Sequence, residues 1–329
     1  MRPRIGFLGT GWIGRHRMKA MLDTGMVEAA ALVDPSEDCL AEARQIAPDA
    51  EVLSSFDAML NSDLDAVVIA TPSALHASQA IVALDRGMAV FCQKPLGRDL
   101  DEARGAIEAA RRADRLLAVD LSYRRTAFAQ ALARRIRSGA MGHIFAADLH
   151  FHNAYGPDKD WFYDAEKSGG GCLIDLGVHL IDLALWALDW PEIEDASGRL
   201  YAKGKPLRES DAEVEDYALA RIDVANGRTI QITCSWHLHA GQDALIGGMF
   251  HGTEGGTAFR NVGGSFYDFE AEANDGTSHD NLCAPPDDWG GREAAHFAER
   301  LAEGARFDPT WEKHLQVFDV IDRLYRDLR

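Results

Sequence analysis

The first 122 residues alternate short apolar runs with helix-patterned stretches, and this rhythm restricts the fold more than any other feature of the chain. Ile5–Gly9, Val27–Val33, Asp65–Ala70, Met88–Cys92 and Leu116–Leu121 read as strands. Trp12–Leu22, Ser36–Ala47, Ser73–Asp85 and Asp99–Ala113 read as the helices between them, with Ser36 and Ser73 placed to cap and Gly87 to stop. Strands that are apolar on both faces and separated by helices form a parallel sheet covered on both sides. The expected fold is therefore α/β, with an N-terminal doubly wound sheet of the Rossmann type over residues 1–122.

Beyond Ser122 the rhythm changes. Phe128–Ser138 and Asp175–Leu188 read as helices, and His143–Asn153, Ala212–Val224, Arg228–His239, Leu245–His251 and Gly256–Phe269 have strand character. Turn signals such as Asn226-Gly227 separate them. Glu293–Leu301 and Trp311–Leu328 read as helices. This is an α+β pattern, a large and mostly antiparallel open sheet with helices on one face, expected to occupy residues 123–329.

Acidic residues outnumber basic ones, 52 to 34, for a net charge of −18. That excludes a nucleic-acid surface or an anionic membrane as the expected partner, but not a small anionic cofactor held at a helix N-terminus. Five scattered cysteines, with no C-x-x-C pair, point to a reducing cytoplasm rather than to disulfides or structural zinc. No uninterrupted apolar run long enough for a membrane span and no signal peptide is expected.

Gly9-Thr10-Gly11-Trp12-Ile13-Gly14 is a G-x-G-x-x-G loop that follows a strand and opens a helix. Asp34 ends the next strand, 20 residues after Gly14. In that context the loop reads as a dinucleotide site: the glycines admit a pyrophosphate, and the carboxylate accepts from a ribose diol while repelling a 2′-phosphate. NAD is therefore expected in preference to NADP.

Two other stretches carry candidate chemistry. Val90-Phe91-Cys92-Gln93-Lys94-Pro95 puts a lysine at the carboxyl end of a buried strand and stops the strand with proline. Ligands of open parallel sheets bind at that edge. Gly169-Gly170-Gly171 leads into a helix with Asp175, His179 and Asp182 at spacings of four and three, one face of an otherwise apolar helix. Asp175 and His179 fit two roles, an orienting acid with a general base, or a helix cap with a core histidine. No cluster in the sequence supplies a third and fourth metal ligand, so no metal is expected. His152, His237 and His239 read as surface or subunit-contact residues. Trp161-Phe162-Tyr163 reads either as a sugar-stacking floor or as a loop anchor.

The chain resembles the glucose–fructose oxidoreductase, inositol dehydrogenase and MocA family of nicotinamide-dependent dehydrogenases. The resemblance spans nearly the whole length. It rests on Gly9–Gly14, on Thr71-Pro72-Ser73-Ala74-Leu75-His76, on Gln93-Lys94-Pro95 and on Gly169–Asp182, in that order. It implies an enzyme that oxidises a sugar or cyclic polyol, with the second sheet pairing subunits into a homodimer or homotetramer. It implies cofactor contacts at Gly9, Gly11, Trp12, Ile13, Gly14, Asp34, Thr71, Pro72, His76, Gln93 and Lys94. Lys94, Asp175 and His179 carry the catalytic roles by resemblance, with Arg124 and Trp161 as further substrate contacts. A cofactor-bound sensor, or a hydrolase or eliminase with resident NAD, is the competing reading. The chain departs from the family pattern at Gln93, where glutamate is usual. A neutral amide there is expected to leave Lys94 less stabilised as a cation.

Overall fold

A computed structural model describes residues 1–208 and 213–326. The chain divides into two compact units, Met1–Ser122 with Gly291–Leu315, and Tyr123–Gly290 with Gln316–Arg329.

The first unit alternates β1 (Arg4–Leu8), α1 (Trp12–Asp23), β2 (Glu28–Val33), α2 (Glu37–Ile46), β3 (Glu51–Val52), α3 (Phe56–Leu60), β4 (Ala66–Ile69), α4 (Ser73–Asp85), β5 (Ala89–Cys92), α5 (Leu100–Ala113) and β6 (Leu117–Val119). The strands form one sheet in the order β3-β2-β1-β4-β5-β6, and every pairing is parallel. β4 and β5 are buried along their whole length, as strands covered on both faces must be. Ser36 caps α2 by accepting from Cys39 N. Ser73 does not cap α4: Pro72 holds the cap position and Ser73 is the first helical residue.

The expectation of one uninterrupted second domain needs correction. Gly291–Leu315 lies in the first unit. Its helix, here α9 (Arg292–Ala302), buries Ala294, Phe297 and Ala298 on one face. The Phe297 ring meets Phe91 of β5 with centroids 5.5 Å apart. The i, i+3, i+4 spacing marks an amphipathic helix but cannot say which sheet it covers.

The second unit contains α6 (Ala127–Arg137), β7 (Ile144–Asn153), α7 (Ala165–Ser168), a π-helical turn (Leu173–Gly177), α8 (Val178–Ala187), β8 (Ile193–Ala202), β9 (Lys205–Pro206), β10 (Tyr217–Val224), β11 (Arg228–Ser235), β12 (Ala244–Gly252), β13 (Gly255–Asn261), β14 (Phe269–Asp275) and β15 (Ser278–Cys283). α10 (Leu315–Arg326) closes the described chain. The sheet order is β15-β14-β13-β12-β7-β11-β10-β8-β9. Among the described residues of this sheet, β7 and β11 pair in parallel and the other neighbours run antiparallel. Gly256–Phe269, expected as one strand, is two, turned between Asn261 and Phe269. β8 and β15 were not expected; β8 mixes small and charged residues, and β15 is an exposed edge of polar ones. The expected strand start at Ala212 and helix end at Leu328 lie outside the described residues. Ala165–Ala187 has the length and hydropathy of a membrane span, but 83% of its most apolar window is buried within the protein, as a core helix would be.

Candidate functional site

In the first unit the glycine loop joins β1 to α1, and each glycine has its own reason. Gly9 has φ +87°, and a Cβ there would lie 2.4 Å from Ala70 O. A Cβ on Gly14 would lie 2.2 Å from Gly9 O, so this position lets helix and strand approach. A Cβ on Gly11 would meet nothing within 4 Å. The turn and the packing therefore need Gly9 and Gly14, while Gly11 faces open space at the start of a helix whose N-terminal N–H groups have no side-chain cap. Thr10 Oγ1, in the same loop, is buried with no hydrogen-bond partner among the described residues. An open cradle, uncapped N–H donors and an orphaned hydroxyl fit a dinucleotide phosphate. Trp12 is exposed beside them and Ile13 is half-buried.

Asp34 follows β2. Its Oδ2 accepts from Thr10 N at 2.6 Å and its Oδ1 from Ser36 N at 2.8 Å. The carboxylate thus braces the glycine loop against the start of α2. A carboxylate has about four acceptor sites, so these two bonds leave capacity for hydroxyls. Arg15 bonds Thr10 O at 2.6 Å and pairs with Glu42, which places a cation near the loop but gives it a partner.

His76 is 2% exposed, and its ring nitrogens lie 2.7 Å from Pro95 O and 2.7 Å from Thr71 O. It laces the turn after β4 to the turn after β5. Burial lowers its pKa below the ordinary value, against the two carbonyls, which raise it. Both ring nitrogens face main-chain carbonyls, and the neutral ring has one N–H to donate to one of them, so His76 sits between the two turns as a support. Thr71 Oγ1 donates to Gln79 at 2.7 Å, and Pro72 is exposed.

Lys94 is half-buried, two residues after the end of β5. Gln93 is buried, and its Nε2 donates to Asp120 Oδ2 at 2.7 Å. Asp120 in turn accepts from Arg17 Nε at 2.6 Å and from the Ser122 hydroxyl. The carboxylate missing at position 93 is thus present one strand over. Sequence reasoning missed it, because Asp120 fell inside the strand expected over Leu116–Leu121, whereas β6 stops at Val119.

In the second unit, Asp175 lies in the π-helical turn and His179 one turn on in α8, both half-buried. Trp236 Nε1 donates to Asp175 Oδ2 at 3.1 Å. The His179 ring meets Tyr123 edge-on, centroids 5.1 Å apart. Asp182, expected on the same face, is instead 2% exposed and ion-paired with Arg124, whose Nε reaches it at 2.7 Å. The Arg124 guanidinium also lies over Trp190, 5.1 Å from the ring centroid. Arg124 therefore fastens the segment before α6 to α8, which sets a structural role against the substrate contact implied by the resemblance.

The segment before Asp175 is held by a buried carboxylate that sequence reasoning missed. Glu215 is 1% exposed. Its Oε1 accepts from Gly171 N, Leu173 N and Tyr325 Oη, each at 2.9 Å. Its backbone O accepts from Cys172 N at 2.9 Å. Burial raises its pKa, against these donors, which lower it. A glutamate in a charged stretch carries no sequence mark of such a role.

A cavity of about 1000 Å³ in this unit is lined by Tyr163, Tyr201, Tyr217, Trp236 and His237 among others. Tyr163 packs on Trp236 at 5.5 Å, and Trp161 stacks on Phe162 at 3.8 Å. Of the aromatic triplet it is Tyr163, not Trp161, that lines the cavity. His237 lines it too, while His152, expected at the surface, is 7% exposed and bonded to Ser235 Oγ at 2.8 Å. Among the described residues no three His, Cys, Asp or Glu side chains cluster as a metal site.

Residues 3–121 match the model of an oxidoreductase family with an NAD-binding Rossmann fold, and residues 129–258 match the GFO/IDH/MocA C-terminal domain. The chain is 26% identical over 202 residues to the D-glucoside 3-dehydrogenase of Escherichia coli (strain K12), a match covering 58% of each protein. It is 25% identical over 332 residues to the inositol 2-dehydrogenase of Rhizobium meliloti (strain 1021), covering 100% of this chain and 97% of that one. Among solved structures, a levoglucosan dehydrogenase in complex with NADH and levoglucosan superposes with TM-score 0.83 at 22% identity, over 100% of this chain and 97% of that one. KijD10, a 3-ketoreductase from Actinomadura kijaniata solved with NADP, has the same TM-score at 22% identity, over 99% and 98%. With both family models matched in order along the chain, the protein belongs to the GFO/IDH/MocA family of oxidoreductases, and its first unit carries that family's NAD-binding Rossmann fold.

Proposed function

We propose that this protein is an NAD-dependent dehydrogenase that oxidises a hydroxyl of a sugar or cyclic polyol. The observation that carries the reading is the carboxyl edge of the first sheet. There the open Gly11 cradle sits after β1, and His76 ties the Thr71 turn to the Lys94-Pro95 turn. That edge is where open parallel sheets take ligands.

When bound, NAD supplies the hydride acceptor. Gly11 and the uncapped start of α1 hold the pyrophosphate, and Asp34 accepts from the ribose diol. A 2′-phosphate would lie against the Asp34 carboxylate, and Arg15, the nearby cation, is already paired with Glu42. These two features support NAD over NADP.

In the second unit His179 is the group read as taking the proton of the substrate hydroxyl; in the first unit Lys94, at the carboxyl edge of the sheet, is read as a hydrogen-bond donor to bound ligand. Asp175, oriented by the Trp236 indole, binds a neighbouring hydroxyl. An exposed aromatic face such as that of Tyr163, which lines the cavity, suits the apolar face of a sugar ring. The reading extends to a homodimer or homotetramer joined through the second sheet, where Leu219 and Leu245 are exposed on β10 and β12. A cytoplasmic location is part of the same proposal and fits five free thiols.

The test is an absorbance assay for NADH formation across sugars and cyclic polyols. Turnover on at least one, with NAD more efficient than NADP, is the expected result. Tight NADH binding with no turnover on any of them would replace the enzyme reading with a sensor.

A further inference from the structure

Gln93 and Asp120 form a buried polar pair in the first unit. Gln93 follows β5 and precedes Lys94, and Asp120 follows β6. They are 8% and 2% exposed. Arg17, itself 8% exposed, reaches Asp120 from α1, and its Nη2 also bonds Ser122 Oγ at 3.2 Å. Both backbones are pinned as well: Gln93 N donates to Ile69 O, and Asp120 N to Cys92 O, each at 2.9 Å. Burial pushes the Asp120 carboxyl upward, but Arg17, Ser122 and Gln93 outweigh it and hold the group below its ordinary value.

An ionised carboxylate only accepts hydrogen bonds. Facing one, a glutamine amide has a single satisfactory orientation, NH₂ toward the acid and carbonyl oxygen away. A free glutamine could flip at little cost, and this one cannot. A glutamate at position 93 would instead set two carboxylates against each other at hydrogen-bond distance.

We propose that Asp120, clamped by Arg17, is a positioning residue that locks the Gln93 amide with its carbonyl oxygen outward, as an acceptor for a hydroxyl of the nicotinamide ribose. A neutral oxygen held by a neighbouring acid thereby stands in for the glutamate usual at this position. The proposal rests on the NAD-binding reading given above.

The test is NADH titration by fluorescence, with thermal unfolding of the cofactor-free protein alongside. Wild type must bind NADH; if it does not, the NAD reading fails before this one is reached. Gln93→Leu removes the acceptor and leaves Arg17, Asp120 and Ser122 in contact. It should weaken NADH binding by roughly five- to tenfold, the range for one lost hydrogen bond; the melting temperature should fall as well, because Asp120 loses its Gln93 donor, so the titration is run well below the melt. Unchanged affinity in Gln93→Leu would overturn the proposal.

Gln93→Glu carries the sharper readout. The groups facing the new carboxyl are Arg17 from α1, Asp120 and Ser122 after β6, and Cys92 and Lys94 on either side; His16 lies behind Arg17, 2.9 Å from its Nη1. Asp120 should raise the pKa of the new acid. Protonated, that acid donates to Asp120 and turns its carbonyl outward, as the glutamine does. NADH affinity of Gln93→Glu should therefore approach wild type at acidic pH and fall as pH rises, a dependence absent from wild type over the same range. The double variant Gln93→Glu/Asp120→Asn, which exchanges acid and amide, should bind NADH without that dependence. The same pH dependence in the double variant as in Gln93→Glu would show that Asp120 does not set the orientation.

Discussion

Replacing Glu215 with alanine should loosen the loop that delivers Asp175, and the cost follows from its hydrogen bonds. The substitution strands Gly171 N, Leu173 N and Tyr325 Oη, all bonded to Glu215 Oε1 at 2.9 Å. Each buried donor without an acceptor costs about 1–3 kcal/mol, so the total is about 3 kcal/mol or more. At ~2–4 °C per kcal/mol for a unit of this size, thermal unfolding should drop by about 6 °C or more. Glu215→Gln keeps an acceptor oxygen and removes a buried charge, so it should stay within about 1 kcal/mol of wild type. The pH dependence separates the two effects. Burial raises the folded-state pKa of Glu215 above its unfolded value. Its contribution to stability is then complete below the unfolded pKa and is lost as pH rises through the folded pKa. Melts of wild type and Glu215→Gln taken across that interval should converge at low pH and separate as pH rises, in favour of the glutamine. A Glu215→Ala protein that melts with wild type would show that the glycine loop is held by other contacts.

Three further outcomes follow from particular positions. Gly14→Ala should destabilise the first unit, because its Cβ would lie 2.2 Å from Gly9 O, whereas Gly11→Ala should leave the melt unchanged and weaken NADH binding, read by titration. His179→Ala should lower kcat by roughly 10²–10⁴-fold with NADH affinity little altered, and near-normal turnover at neutral pH would move the base to Lys94. Asp34→Ala should erode the preference for NAD in kcat/KM and also lower the melting temperature, since Thr10 N and Ser36 N lose their acceptor.

The parallel sheet of the first unit was legible because its strands are apolar on both faces and its helices fall at regular intervals. The glycine loop was legible because backbone geometry restricts it: at Gly9 and Gly14 a side chain has nowhere to go. Asp34, Lys94 and His179 could be placed at their strand ends or on their helix from spacing and strand ends alone. Their partners could not be read from spacing. The face shared by Asp175, His179 and Asp182 assumed a regular 3.6-residue helix, but Asp175 sits in a π-turn and Asp182 is taken by Arg124, 58 residues away. Gln93 read as leaving Lys94 without an acidic neighbour, and only the fold set Asp120 against Gln93 from 27 residues on. Glu215, 44 residues beyond Gly171, gave no signal at all. Local pattern determines which residues form strand, turn or helix, because those choices depend on neighbours within a few positions. Which buried acid meets which donor is decided by packing between distant segments, where desolvation makes an unpaired charge too costly to leave and each partner must be supplied by the fold.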